Sequence, residues 1–291
     1  MKPAPFDYYS PTSIDDAINT LDELGYSGKI LAGGQSLVPA MNFRMAQPGA
    51  LVDLNNINDL FYIKKNKDNS LSIGAMTRDT TVEYDPLVAE IAPIITEAMP
   101  QIAHEQIRNR GTFGGAIAHA DPTGQLPAIA IALNAECLIK SKSGERWESV
   151  EDLIIGPFTT TLQPNEMLIE VKIPALPKRS GSSYKQISRQ HGVAALVGVA
   201  TVVTLDRKKR CENVKIVYLS VGEKPEIAFE AQKLLIGQEL SEELINKASE
   251  IAVNNDISPG GDIHASAEYR RNLARVLTRD SLIEANERAK K

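Results

Sequence analysis

Cysteine is nearly missing from these 291 residues: Cys137 and Cys211 stand far apart, with no CxxC pair. A disulfide framework is therefore excluded and a reducing compartment expected. The four thiolates that usually hold an iron–sulfur cluster cannot come from two cysteines. Histidine is scarce as well, and His104, His119, His191 and His264 lack metal-ligand spacing. Neither GxGxxG nor GxxxxGK[ST] occurs, so the dinucleotide fingerprint and the Walker loop are absent. Basic residues do not dominate: 32 Lys and Arg face 37 Asp and Glu, a net charge of −5, which argues against nucleic acid as a partner. The longest apolar stretch, Val193 to Leu205, is too short to span a membrane and is broken by Gly198, Thr201 and Thr204. The start, Met1 to Ile14, has no apolar signal core. These absences lead to the expectation of a cytoplasmic protein with no membrane span.

What is present is ordinary globular material, 43% hydrophobic and 24% charged, with length enough for two domains. Ser13 can cap a helix carrying Asp15 and Asp16 in its first turn, with Ile14, Ala17, Ile18 and Leu21 on one face and Gly25 as the stop. Lys29 to Ala32 reads as a strand, Leu37 to Met45 as a short helix, and Ala50 to Leu54 and Leu71 to Ala75 as strands. Pro86 starts a helix whose apolar face runs through Ile91, Ile94, Ile95 and Ala98. Arg108 to Pro127 is a polar, glycine-rich stretch, followed by a helix from Ala128 to Leu133. Strands follow around Cys137 to Ile139 and at Met167 to Ile173. Ala175 to Gly181 is the best linker. Beyond it, three successive strands, Tyr184 to Ser188, Ala194 to Leu205 and Val214 to Val221, precede three helices ending near Ala289. An α/β N-terminal part followed by a smaller α+β domain is expected.

Two glycine segments stand out. In Ala32-Gly33-Gly34-Gln35-Ser36-Leu37, a glycine pair after a strand can aim several N–H groups at one point, and Ser36 can add a hydroxyl. Such a nest before a helix binds phosphate oxygens. A plain strand-to-helix turn would have the same residues. Gly111-Thr112-Phe113-Gly114-Gly115 repeats the pattern and runs into Asp121-Pro122-Thr123-Gly124-Gln125, where Asp121 and Gln125 can accept from sugar-like hydroxyls. A surface loop capped by Asp121 is the alternative. Two such segments in one domain favour an elongated ligand carrying a pyrophosphate.

These residues resemble a known family. Ala32 to Leu37 is similar to the AGGxSL motif of the vanillyl-alcohol-oxidase-like flavin fold. Thr112-Phe113-Gly114-Gly115, with Asp121-Pro122 through Pro127, resembles its TxGG and DPxxxxP motifs. Val52-Asp53-Leu54, Ile73 to Thr77 and Ala267 to Arg271 also look like the FAD-binding (medium) subunit of molybdenum hydroxylases, the xanthine dehydrogenase, carbon monoxide dehydrogenase and aldehyde oxidoreductase type. The resemblance covers nearly the whole chain. It implies an α+β fold: a PCMH-type FAD-binding domain over 1–175, with α/β subdomains of about 1–57 and 58–175, then a three-stranded antiparallel sheet with a helical bundle over 176–291. Ala32 to Leu37 would wrap the pyrophosphate, Gly111 to Gly115 the ribityl–pyrophosphate side, and Asp121 and Gln125 would lie in the matched loop. Lys185 resembles a basic residue beside the flavin, where a cation stabilises the reduced, anionic ring. A solvent-facing strand lysine is the other reading. Many relatives carry Asn at the place of Ala116, Asp at that of Gln125, and an acid within the loop matching Arg189 to Val193.

The resemblance further implies FAD in this chain, with molybdopterin and [2Fe–2S] clusters in a large and a small partner subunit of a heterotrimer, and an external electron acceptor. No catalytic or metal-ligating residue is expected here. Aldehydes, glyceraldehyde among them, are the expected substrates of the whole complex. Carbon monoxide or xanthine, a stand-alone flavin oxidoreductase, and a scaffold that has lost its flavin are the alternatives. Tyr8, Tyr9, Phe43 and Arg44 are candidate interface residues, with ordinary surface or core positions as the other reading.

Overall fold

The computed structural model describes residues 1–291. Its first layer is a parallel sheet of β1 (Asp7–Tyr9), β2 (Gly28–Leu31) and β3 (Ala50–Asp53), in the order β1-β3-β2. Helix α1 (Ile14–Leu24) begins where the Asp16 N–H donates to the Ser13 hydroxyl, and Gly25 at φ +51° ends it. Ala17, Ile18 and Leu21 are the buried face that the sequence spacing predicts. Helix α2 (Leu37–Asn42) stops before the expected Met45, because Arg44 turns the chain into the left-handed region at φ +58°.

The second layer is a five-stranded sheet, built from β4 (Ile63–Lys65), β5 (Leu71–Gly74), β6 (Glu136–Ser141), β7 (Gly144–Ser149) and, beyond a small ribbon of β8 (Ile154–Gly156) and β9 (Thr159–Thr160), β10 (Met167–Ile173). The order is β4-β5-β10-β6-β7. Seven helices accompany it: α3 (Asp79–Tyr84), α4 (Pro86–Ile91), α5 (Pro93–Ala98), α6 (Glu105–Arg108), α7 (Phe113–His119), α8 (Gln125–Ala132) and α9 (Val150–Leu153). Two of these correct the sequence reading. The helix from Pro86 is broken into α4 and α5 at Ala92, since Pro93 has no N–H to donate and forces Ala92 out of the helical region. The glycine-rich stretch carries helix α7 through Gly114 and Gly115, and α8 starts three residues before the expected Ala128.

The C-terminal part is an antiparallel sheet of three long strands, β11 (Ser180–Ser188), β12 (Ala195–Leu205) and β13 (Cys211–Leu219), with the two-residue β14 (Glu226–Ile227) at its edge. Helices α10 (Phe229–Leu235), α11 (Glu242–Ile251) and α12 (Ala267–Ala289) complete it. All eleven residues of β12 are buried, so both faces of this sheet are covered. Ala200 and Val202 face a core shared with the preceding domain, together with Ile73, Phe113 and Ile129. Val199 and Val203 face the other way, into a core with Ala274, Leu282 and Ala285 of α12.

Candidate functional site

The two glycine segments lie against each other. A Cβ placed on Gly33 would sit 2.3 Å from the Arg110 carbonyl oxygen and 2.9 Å from the Gly111 Cα. On Gly115 it would sit 2.4 Å from Thr112 Oγ1 and 3.3 Å from the Ala32 Cβ. At Gly33 only hydrogen fits and backbone meets backbone, whereas Gly115 is crowded by the Thr112 and Ala32 side chains. Gly34, at φ +74°, turns the chain from β2 into α2, and Gln35 Nε2 donates to the Gly33 carbonyl at 2.9 Å. Ser36 is exposed and its hydroxyl caps nothing. Leu37, half-buried, opens α2.

The second segment is anchored from behind. The Phe113 and Gly114 N–H groups donate to the carbonyls of Thr77 and Ala75, both at 3.0 Å, and Gly114 is pressed against Ala75. The buried Thr112 hydroxyl has no partner. An unpaired buried hydroxyl is uncommon and keeps its hydrogen-bonding capacity unspent. Asp79 lies beneath Gly111, whose added Cβ would fall 2.1 Å from Asp79 Oδ2, while Asp79 Oδ1 has no partner at all. Burial pushes this carboxyl up to about 7, against the pull of the Arg108 and Arg78 guanidinium groups.

The remaining expected residues are distributed unevenly. Asp121 Oδ1 accepts from Thr123 N–H and Thr123 Oγ1, both at 2.8 Å, which closes the turn entering α8 and leaves the second carboxylate oxygen free of intramolecular bonds. Gln125 is buried at the start of α8, and its Nε2 donates to Gln186 Oε1 at 3.2 Å across the boundary with the C-terminal sheet. Lys185 is not brought to the other residues. Tyr184 and Gln186 face the N-terminal part from β11, so strand alternation turns Lys185 toward α12, where its ammonium pairs with Glu284 at 2.5 Å. In the loop Arg189 to Val193, His191 lies 2.8 Å from the Pro100 carbonyl, and Gly192 at φ +80° packs on the His104 ring.

Sequence reading missed two groups. Asn55 and Arg78 stand between the glycine segments: Asn55 Nδ2 donates to the Ala32 carbonyl at 3.0 Å, and Arg78 Nη1 donates to the Arg110 carbonyl at 2.6 Å. Each directly follows a stretch noted for its family pattern, Val52 to Leu54 and Ile73 to Thr77, yet nothing in the sequence signals contacts 23 and 32 residues away. The other group lines a cavity of about 600 Å³ between the Pro122-Thr123 turn and the C-terminal domain. Arg270, buried in its wall, donates to the Leu196 carbonyl and to Asp262, but its Nε and the buried Ser220 hydroxyl are unpaired.

These features fit FAD. The glycine cradle leaves no room for side chains, and the Ser36 and Thr112 hydroxyls are unclaimed beside it. Comparison with known proteins agrees. Residues 4–176 match the FAD binding domain in molybdopterin dehydrogenase, and residues 182–285 match the CO dehydrogenase flavoprotein C-terminal domain. The chain is 39% identical to the 6-hydroxypseudooxynicotine dehydrogenase complex subunit alpha of Paenarthrobacter nicotinovorans, covering 100% of this chain and 97% of that one. It is 35% identical to the glyceraldehyde dehydrogenase medium chain of Sulfolobus acidocaldarius, covering 96% and 97%. A chain of carbon monoxide dehydrogenase from Hydrogenophaga pseudoflava superposes with a TM-score of 0.94 at 33% identity, over 99% of both chains.

Proposed function

Because the chain belongs to the FAD-binding subunits of the molybdopterin dehydrogenase family, we propose that it is the flavin relay of a heteromeric molybdenum hydroxylase in the cytoplasm. In this reading a large subunit holds molybdopterin, a small subunit holds [2Fe–2S] clusters, and reducing equivalents leave the complex through this chain for an external acceptor. Bound FAD supplies the exchange of electrons between the clusters and that acceptor. The chain's own residues hold and orient it. The observation that carries the reading is the mutual seat of Gly33 and Gly111, which brings the two glycine segments together.

Each residue then has a task. Gly33, Gly34 and Gly111 to Gly115 let the pyrophosphate approach the backbone, and the Ser36 and Thr112 hydroxyls donate to its oxygens. The free oxygen of Asp121 and the amide of Gln125 accept from ribityl or ribose hydroxyls. Lys185 joins the set only after release from Glu284. The cavity at Pro122, Ser220 and Arg270 gives an acceptor a polar approach to the same loop.

The whole complex sets the substrate. The similar proteins are named for an oxynicotine derivative, glyceraldehyde and carbon monoxide, yet this chain matches all three over nearly its full length. Substrate choice therefore resides in a partner, and an aldehyde is the first compound to assay.

The test is an absorption spectrum of the chain, purified alone and with whatever accompanies it. Bands near ~370 and ~450 nm that shift on unfolding indicate a bound flavin. Larger subunits carrying iron and molybdenum in the same fractions support the relay. A colourless chain that refuses added FAD and travels alone overturns it. Turnover of an organic substrate without partners favours a free-standing flavin enzyme instead.

A further inference from the structure

The pyrophosphate cradle has no cation of its own: Ala32 to Leu37 and Gly111 to Gly115 contain no Lys or Arg. Arg78 is a cation fixed by hydrogen bonds at their junction. One arm of its guanidinium donates to the Arg110 carbonyl at 2.6 Å, and the other donates to Asn55 Oδ1 at 2.6 Å. Asn55 Nδ2 in turn donates to the Ala32 carbonyl at 3.0 Å. These two carbonyls directly precede Gly33 and Gly111, the glycines whose backbones touch. Asp53 fixes the bridge from behind, accepting from the Asn55 N–H at 2.9 Å and also from its amide. One guanidinium and one amide thus join the two flavin segments at the point where they meet.

Burial and the neighbouring Arg110 both push the Arg78 guanidinium below its usual range, and Asp79 and Asp53 offset this only in part. Arg78 lies over the Phe61 ring, 5.5 Å from its centre, which limits the side chain's freedom. A cation held rigid, partly desolvated and tied to both segments acts more strongly on a phosphate than a mobile surface lysine does.

We propose that Arg78, held by Asn55, is the positioning residue of the FAD pyrophosphate site: it sets the spacing of the two glycine segments and supplies their missing positive charge. This rests on the flavin reading above. Wild-type chain that fails to bind FAD would defeat that reading, whereas the inference is judged from variants against a binding wild type.

The experiment titrates FAD into the full apo chain by flavin fluorescence, at several salt concentrations, with the melting temperature of each apo protein recorded. Three variants are used: Arg78→Gln, Arg78→Lys and Asn55→Ala. Arg78→Gln should weaken FAD binding roughly 10- to 100-fold and flatten its salt dependence, because a charge-assisted contact is lost. Arg78→Lys should keep the salt dependence and lose less affinity. Asn55→Ala should weaken binding without changing the salt dependence. FAD binding by Arg78→Gln within threefold of wild type overturns the inference. So does an equal loss in Arg78→Gln and Arg78→Lys with unchanged salt dependence, since the role would then be structural only. Should Arg78→Gln fail to fold, wild-type affinity in Asn55→Ala and Arg78→Lys at unchanged melting temperature overturns it.

Discussion

Gly33→Ala is the sharpest perturbation of the proposed flavin site. The new methyl carbon would lie 2.3 Å from the Arg110 oxygen, where ordinary contact begins at 3.4 Å, so the two segments must part by about 1 Å. The obstacle is backbone, and the Arg110 carbonyl is held in place by Arg78, so no flexible side chain can give way. Overpacking of this kind costs about 1–3 kcal/mol of stability. The larger effect falls on the ligand. A pyrophosphate that bonds to both segments cannot span a seat widened by that much. Losing two charge-assisted hydrogen bonds at roughly 1.5–3 kcal/mol each weakens FAD binding by about 100-fold to 10,000-fold. The assay is fluorescence titration of apo protein with FAD, beside a thermal melt. Gly156→Ala is the matched control, since its added carbon meets nothing nearer than 4.0 Å, and it should leave affinity unchanged. Full FAD affinity in folded Gly33→Ala would refute the idea that both segments grip one ligand.

Three other perturbations probe the surroundings. The buried Asp79 carboxyl, raised to about 7 from 3.8, keeps a proton that the unfolded chain releases. Its contribution is therefore present below about pH 4 and is lost as pH rises through 7. Asp79→Asn should gain stability over wild type across that window, up to a ceiling of about 4 kcal/mol for three pK units, read from urea unfolding at each pH; a pH-independent difference would contradict this. Arg108 and Glu83 form a buried pair at 2.7 Å beneath α6. Arg108→Met should cost about 3–5 kcal/mol, and adding Glu83→Gln should recover part of it; additive losses would argue against the pairing. Lys185→Gln should leave FAD affinity within twofold, because the ammonium is engaged by Glu284. A flavin midpoint change above ~30 mV, a tenfold change for a two-electron couple, would instead place that charge at the ring.

Local chemistry made much of the fold legible. Ser13, the acids after it and Gly25 specify α1, and strand β12 and the break after Ile173 appear where the residues indicate. The two glycine segments could be picked out because few residues other than glycine permit such backbone approach. Features that depend on distant packing were hidden. Helix α7 contains Phe113-Gly114-Gly115, a poor helix former by propensity, and is held by burial of Phe113 and Ile117 and by the contact of Gly114 with Ala75. Pro93 was a readable break that the continuous apolar face of Ile91, Ile94 and Ile95 obscured. Lys185 lies beside the inward Tyr184, so its outward direction was available from strand parity alone. Arg78 and Asn55 were not, because polar side chains that bond to backbone far along the chain leave no periodic trace.

The sheet of β11, β12 and β13, covered on both sides, bears on how this polypeptide can be recombined. The two family matches meet between residues 176 and 182, which invites cutting there to make chimaeras. Yet Tyr184, Ala200, Val217 and Leu219 belong to the same core as Ile73 and Ile129. A cut at the seam would strip the first fragment of one wall of its interior and leave an oily plane on the second. A graft from a relative would have to carry matching residues on both sides of that plane. The seam therefore divides the chain in lineage but not in mechanics, and the two parts should be exchanged, melted and inherited as one body.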